Sequence, residues 1–179
     1  MRILDPNFRP HVGRYLFQCA LATGAVLIIL LVLDVIAHAV IIASLGASSF
    51  IVFTMPHGNV SRPRFLIGGY VCGMAAGVAM NALAEAVGTP SWGRWALDNE
   101  MVDVVFGAAA VGLAIFLMVV TDTEHPPAAG LALGVVLAEW DAVTLVVPIA
   151  GIVALSLARR VLKPVLINLI EAPHKEARP

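Results

Sequence analysis

Charge is what this sequence has least of. Of 179 residues, 11 are Lys or Arg and 12 are Asp or Glu, 13% in all. An ordinary soluble domain carries roughly 25%. Hydrophobic residues make up 60% and the mean hydropathy is +0.92. So little polar surface cannot coat a soluble globule of 18.8 kDa. That excludes a cytosolic enzyme, a nucleic-acid binder and a disordered chain. With only two cysteines, Cys19 and Cys72, both in apolar runs, no disulfide framework is expected, and both read as buried free thiols. There is no His-Glu-x-x-His zinc motif, no phosphate-binding glycine loop and no Cys-x-x-Cys pair. Neither enzyme activity nor a cofactor is expected.

What is present is a series of runs free of Asp, Glu, Lys and Arg: 15–33, 35–53, 65–84, 104–120, 126–138 and 142–158. A helix needs about 20 residues to cross about 30 Å of hydrocarbon. The first three runs fit directly; the fourth and sixth fit if their ends snorkel or the bilayer thins. The fifth is too short to cross as a plain helix. It must begin as extended chain, form a half-helix, or sit sheltered by its neighbours. The fold class read from this pattern is all-α: a polytopic integral membrane helical bundle of about six segments. The apolar run that follows the polar, proline-broken N-terminus is too long for a signal-peptide core, so it is read as retained.

The bases set the orientation. Arg2, Arg9 and Arg14 precede the first run, Arg62 and Arg64 separate the second from the third, and Arg159, Arg160, Lys163, Lys175 and Arg178 follow the last; only Arg94 lies elsewhere. Six crossings with both termini cytoplasmic satisfy the positive-inside rule. Trp92, Trp95 and Trp140 then fall at the outer interface, where aromatic residues anchor. A five-span chain with a re-entrant fifth segment would export the basic tail. Six crossings divide into three plus three, which predicts an inverted repeat, with the second and fifth segments interrupted at corresponding places. The domain reading is a transmembrane part over 1–160, an interfacial cytoplasmic helix over 161–172 and a disordered tail over 173–179. The apolar stripe at 161, 162, 165, 166, 169 and 170 supports that interfacial helix; the alternative is a continuation of the sixth span, interrupted by Pro164.

Two stretches stand out chemically. The first is Thr121-Asp122-Thr123-Glu124-His125-Pro126-Pro127-Ala128-Ala129-Gly130. The double proline forces His125 out of helical conformation and opens a helix. Free amides at that start, aided by the helix dipole, suit a small anion, with His125 as a donor. The plainer alternative is a loop-to-helix junction capped by Thr123 or Glu124. The second is Ser44-Leu45-Gly46-Ala47-Ser48-Ser49, inside the second run. Gly46 and three hydroxyls can repair a helix break, and unwound backbone at that depth must line a cavity or protein. A tight helix–helix contact reads equally well.

His57, after Met55-Pro56, is either a gate for an entering ligand or an interfacial loop residue. His38 is a relay or a locally bonded histidine. Asn81 and Glu85, one turn apart, are polar residues inside a membrane run and therefore functional candidates. Gly69, Gly73 and Gly77 recur every four residues, a smooth ridge for packing within the chain or between subunits.

The order of these motifs resembles the HPP family of integral membrane proteins. Ala43-Ser44-Leu45-Gly46-Ala47-Ser48-Ser49, Met55-Pro56-His57, Arg62-Pro63-Arg64 before Ile67-Gly68-Gly69, and Glu124-His125-Pro126-Pro127-Ala128-Ala129-Gly130-Leu131-Ala132 carry the resemblance, over roughly residues 11 to 160. The family is named for its His-Pro-Pro motif and is often described as having four spans, two fewer than the runs counted here. Members in cyanobacteria and chloroplasts are associated with nitrite transport. The resemblance implies a channel or carrier for a small inorganic anion, nitrite first, in a bacterial inner (plasma) membrane. A mid-membrane site would be built from helix N-termini, hydroxyls and a histidine: Ser44, Gly46, Ala47, Ser48, Ser49, His57, Thr123, Glu124, His125, Pro126, Pro127, Ala128 and Gly130. The partners expected are a small inorganic ion, the lipid bilayer and further copies of the chain in a homo-oligomer, with no nucleic acid. One feature pulls the other way: Asp34, Glu85, Asp98, Glu100, Asp103, Glu139 and Asp141 face Arg94 alone on the outer side. An acidic face attracts cations, so a cation or neutral-solute channel, or a non-transporting scaffold, stays open.

Overall fold

The computed structural model describes residues 12–14, 16–21, 23–25, 39–88, 99–138 and 142–170. These are helical apart from short connections, with no strand among them. Beyond the helical residues of 12–25, the elements are α1 (Ala39–Thr54), a 3₁₀ turn (Asn59–Ser61), α2 (Pro63–Gly88), α3 (Asn99–Val120), α4 (Pro127–Leu137) and α5 (Ala142–Leu162). Three helical stretches are long and apolar enough to cross a membrane: Pro63–Ala86, Val102–Val120 and Thr144–Leu162. Ile41–Thr54 and Pro127–Leu137 are shorter apolar helices. With the N-terminal helical residues, this is the expected bundle of about six segments. His38, most of 15–33, the stretch 89–98 with Trp92, Arg94 and Trp95, and Glu139, Trp140, Asp141 and 171–179 lie outside the described residues.

The short fifth segment is sheltered. Helix α4 spans 11 residues, about 16 Å at 1.5 Å per residue. It packs against α1, α2, α3 and α5, and Ala128, Leu131, Ala132, Gly134, Val135 and Val136 are buried. A helix apolar all round belongs in the interior. The glycine ridge of α2 makes room for it. A Cβ at Gly69 would meet the Cβ of His125, one at Gly73 the carbonyl of Ala128, and one at Gly77 the Cβ of Val135 at 2.7 Å. Of the two packing roles open to the ridge, the structure uses the one within the chain.

Helix α3 ends in a Schellman motif: Thr123 N–H donates to Met118 O (2.9 Å) and Asp122 N–H to Val119 O (3.3 Å). Asp122 takes the left-handed position, φ 52°, and its carboxylate pairs with Arg64 at 3.0 Å. The chain then runs without regular structure to Pro126, whose successor Pro127 opens α4.

Three expectations need correction. First, the second segment is not broken at Ser44–Ser49: α1 is continuous from Ala39 to Thr54. The serine hydroxyls fold back on their own helix, Ser44 to Ile41 O (2.7 Å), Ser48 to Ser44 O (2.9 Å) and Ser49 to Gly46 O (2.7 Å). A bonded hydroxyl of this kind is compatible with helix, so it needs no break. Second, among the described residues no helix continues past Leu162 toward an interfacial segment. Residues 163–165 turn and 166–170 are irregular, because Pro164 has no N–H to continue the ladder. That segment instead crosses the end of α1, with Leu169 N–H donating to Thr54 O at 2.8 Å. Third, Cys19 is exposed and Cys72 half-buried, because an apolar run does not specify which face of its helix turns inward.

Candidate functional site

Helices α1 and α2 and the stretch leading into α4 converge on one buried polar cluster. Ser48 Oγ lies 2.9 Å from His125 Nε2 and 2.9 Å from the Tyr70 hydroxyl, which in turn donates to Ser44 Oγ at 3.2 Å. Ser48, Tyr70 and His125 are wholly buried, Ser44 nearly so. The rings of Tyr70 and His125 sit 5.7 Å apart between centroids, tilted by 44°. Each partner is placed by its local sequence. The double proline holds His125 out of helix, and Gly69, with no side chain, lets the His125 Cβ lie against α2.

Counting hydrogens gives two arrangements. In one, Ser48 donates to Ser44 O and its oxygen accepts from His125 Nε2–H, while the single Tyr70 hydrogen stays on Ser44 Oγ. In the other, Ser48 turns its hydrogen to Nε2 and Nδ1 carries the proton. In both, His125 Nδ1 has no partner; it is the fully buried side-chain polar atom left unsatisfied among the described residues. A buried nitrogen in that state is costly and calls for a ligand or water. The cluster contains no carboxylate, and no three His, Cys, Asp or Glu side chains gather as a metal site among the described residues.

The cluster lies nearer the start of α2 than its end. Ser48 stands six residues before the end of α1 and Tyr70 seven after the start of α2, about 9–11 Å at 1.5 Å per residue. The helix ends nearest to it carry the bases. Arg64 bonds to Asp122 and to Thr121 O (3.2 Å) there, and Arg159 donates to Ser61.

Of the thirteen residues expected at the site, Ser44, Ser48 and His125 come together. Ala128 is buried beside them, its carbonyl against Gly73. Helix N-termini contribute no free amide. Pro126 and Pro127 have none, while Ala128 N–H donates to His125 O (2.9 Å) and Ala129 N–H to Pro126 O (3.1 Å). Gly46 and Ala47 are exposed on the opposite side of α1, and Glu124 and Pro126 are exposed as well. Pro127 and Gly130 are half-buried. Ser49 turns instead toward a cavity of about 310 Å³ lined by Gln18, Thr23, Phe53, Thr54 and Leu169 among others. Thr123 is buried, its hydroxyl 2.7 Å from that of Thr121 and 3.7 Å from Cys72 Sγ. His57 is a clamp: its N–H donates to Asn168 Oδ1 (3.1 Å) and its Nε2–H to Leu166 O (2.9 Å). Asn81 donates to Glu85 at 3.4 Å, near the far end of α2.

Two residues of the polar interior, Tyr70 and Gln18, are not singled out by the sequence, and a third, Arg159, is placed differently from its sequence reading. Tyr70 is the hub between the two serines, and a tyrosine inside an apolar run was itself a signal, since its hydroxyl needs a partner there. Gln18 donates to Phe53 O (2.7 Å) and Ile167 O (2.9 Å) and accepts from Ile167 N–H (3.3 Å); it was the lone amide of its run. Arg159 counted as a flanking base, yet it is buried. A family profile described as HPP, transmembrane region, matches residues 7–171. Comparison with curated proteins and with solved structures finds no match.

Proposed function

We propose that this chain, which belongs to the HPP transmembrane family, is a channel or carrier that moves a small inorganic anion across the membrane in which its apolar helices sit. Nitrite is the substrate expected from the family resemblance. The observation that carries the reading is the buried Ser44–Ser48–Tyr70–His125 cluster with its unpartnered Nδ1, located at the family's His-Pro-Pro motif.

A small anion needs donors to replace its water. A site made of hydroxyls and one imidazole, without Lys or Arg, binds weakly, and weak binding suits passage, since a conducting site must also release. Ser48 can donate or accept, so it can follow either tautomer of His125. With the bases Arg62, Arg64, Arg159, Arg160 and Lys163 at one end, the positive-inside rule puts that end in the cytoplasm, with the cluster close to it. A homo-oligomer in a bacterial plasma membrane belongs to the same reading. The packing face of the glycine ridge is occupied by α4, so a contact between copies would use other surfaces.

The test is nitrite flux into proteoliposomes. Flux that is saturable, selective for small anions and lost in His125→Ala supports the proposal. Selectivity for cations instead would favour the second reading, which rests on the seven outer carboxylates.

A further inference from the structure

Arg159, Arg160 and Lys163 read as one basic cluster in the sequence, but the fold separates them. Arg160 and Lys163 are exposed, whereas Arg159 is only 6% exposed. It stands in the last turn of α5, inside the apolar stretch Thr144–Leu162, where an arginine would ordinarily extend to the interface. Instead, its Nε–H donates to Ser61 Oγ at 3.1 Å. The Ser61 hydroxyl is itself anchored: its hydrogen faces the carbonyls of Met55 (2.7 Å), Gly58 (2.9 Å) and Pro56 (3.3 Å). The oxygen is thereby left to accept from Arg159. The 3₁₀ turn thus fixes one edge of the guanidinium and leaves the two terminal nitrogens unused.

Among the described residues those terminal nitrogens have no protein partner, and no carboxylate pairs with the group. The described ion pair of this region joins Asp122 to Arg64. Arg62, adjacent to Ser61 and exposed, brings its charge close enough to repel that of Arg159. The fold therefore holds two like charges together at the edge of an apolar bundle, an arrangement unfavourable unless an anion completes it. The terminal nitrogens are also within reach, because the sealed and unpartnered side-chain polar atom among the described residues is His125 Nδ1, not a nitrogen of Arg159. A guanidinium with one edge fixed and the other open presents the paired N–H geometry that matches two oxygens of an oxyanion.

We propose that Arg159, supported by Arg62, forms a binding site for a compact oxyanion at the basic end of the bundle, distinct from the His125 cluster. The oxyanion is either free in solution or the phosphate of an anionic lipid headgroup; the chemistry recognised is the same. The Ser61 hydroxyl orients the guanidinium and does not touch the ligand.

Thermal unfolding of the delipidated full chain tests this, with sodium phosphate, larger and more highly charged than the monovalent anion of the transport reading, compared with sodium chloride at equal ionic strength. A free oxyanion raises the midpoint saturably. Arg159→Gln abolishes the rise, and Arg62→Gln weakens apparent affinity about tenfold, as loss of one nearby charge should. His125→Ala leaves the rise intact, which separates this site from the transport reading and its flux assay. If the source is a headgroup, free oxyanions have no effect and nanodiscs containing phosphatidylglycerol stabilise the chain over pure phosphatidylcholine, again lost in Arg159→Gln. Should Arg159→Gln not fold, Arg62→Gln, altered at an exposed residue, decides the matter. Unchanged affinity in that variant, or no stabilisation of the native chain by any of these anions, overturns the proposal.

Discussion

Ser48 Oγ and His125 Nε2 lie 2.9 Å apart across 77 residues of sequence. The contact ties the middle of α1 to the irregular stretch that opens α4, and it makes the His-Pro-Pro motif part of the bundle interior. Ser48→Ala removes the common partner of His125 and Tyr70. Two buried polar groups then lose a hydrogen bond, so a loss of about 1–3 kcal/mol is expected. Unfolding in detergent, combined with Tyr70→Phe in a double-mutant cycle, checks it. The two losses should fall short of adding, because both variants break the same hydrogen bond. Nitrite flux should drop in Ser48→Ala and stay near native in Ala47→Ser, since Ala47 is exposed.

The ridge of α2 predicts an ordered series of alanine substitutions. Gly73→Ala drives a methyl into the Ala128 carbonyl, which is backbone and cannot swing aside. A loss of about 1–3 kcal/mol or more is expected, as for other overpacked sites. Gly46→Ala meets nothing within 4 Å and should be neutral or stabilising by up to about 1 kcal/mol, since alanine is the better helix former. Midpoints of unfolding for the two variants should move in opposite directions or differ by several degrees.

Asp122 occupies a left-handed position (φ 52°) that glycine adopts freely. Asp122→Gly loses an exposed ion pair with Arg64, worth about 0–1 kcal/mol, and gains backbone ease, so stability should stay within about 1 kcal/mol of native. Asp122→Val should be clearly worse, because a β-branched residue resists positive φ. Thermal midpoints of both variants settle the order.

Gln18 joins three parts of the chain through Phe53 and Ile167. Gln18→Leu keeps the bulk and removes those bonds, leaving buried backbone groups unpaired. The expected result is faster hydrogen exchange at Ile167 and Leu169, the amides of the segment crossing α1, with little change in the core of α2. Exchange that rises uniformly over the bundle would mean that Gln18 supports the whole fold rather than this crossing.

Much of the fold was legible because membrane insertion depends on composition summed along a run, not on partners. Spacing located α2, α3 and α5, and the length of 126–138 left a sheltered helix as one of three options. The break expected at Ser44–Ser49 was not there because small polar residues permit both a break and a bonded helix, and only the neighbours choose between them. The same holds for Pro164: it ends a helix, but the sequence does not say that the chain then turns back across Thr54 and Gln18.

The site divides the same way. Ser44, Ser48 and His125 were legible as unusual polar residues, whereas Gly46, Ala47 and Ser49 share their motif and face elsewhere. A helix turns each residue by about 100°, so a contiguous motif is dispersed over different faces. The sequence alone determined that the chain is a helical membrane protein with few charges to spare. Only the tertiary structure decided that Tyr70 links the serines, and that one base, Arg159, is drawn inside. Burial and pairing are properties of contacts between distant residues, and no local pattern carries them.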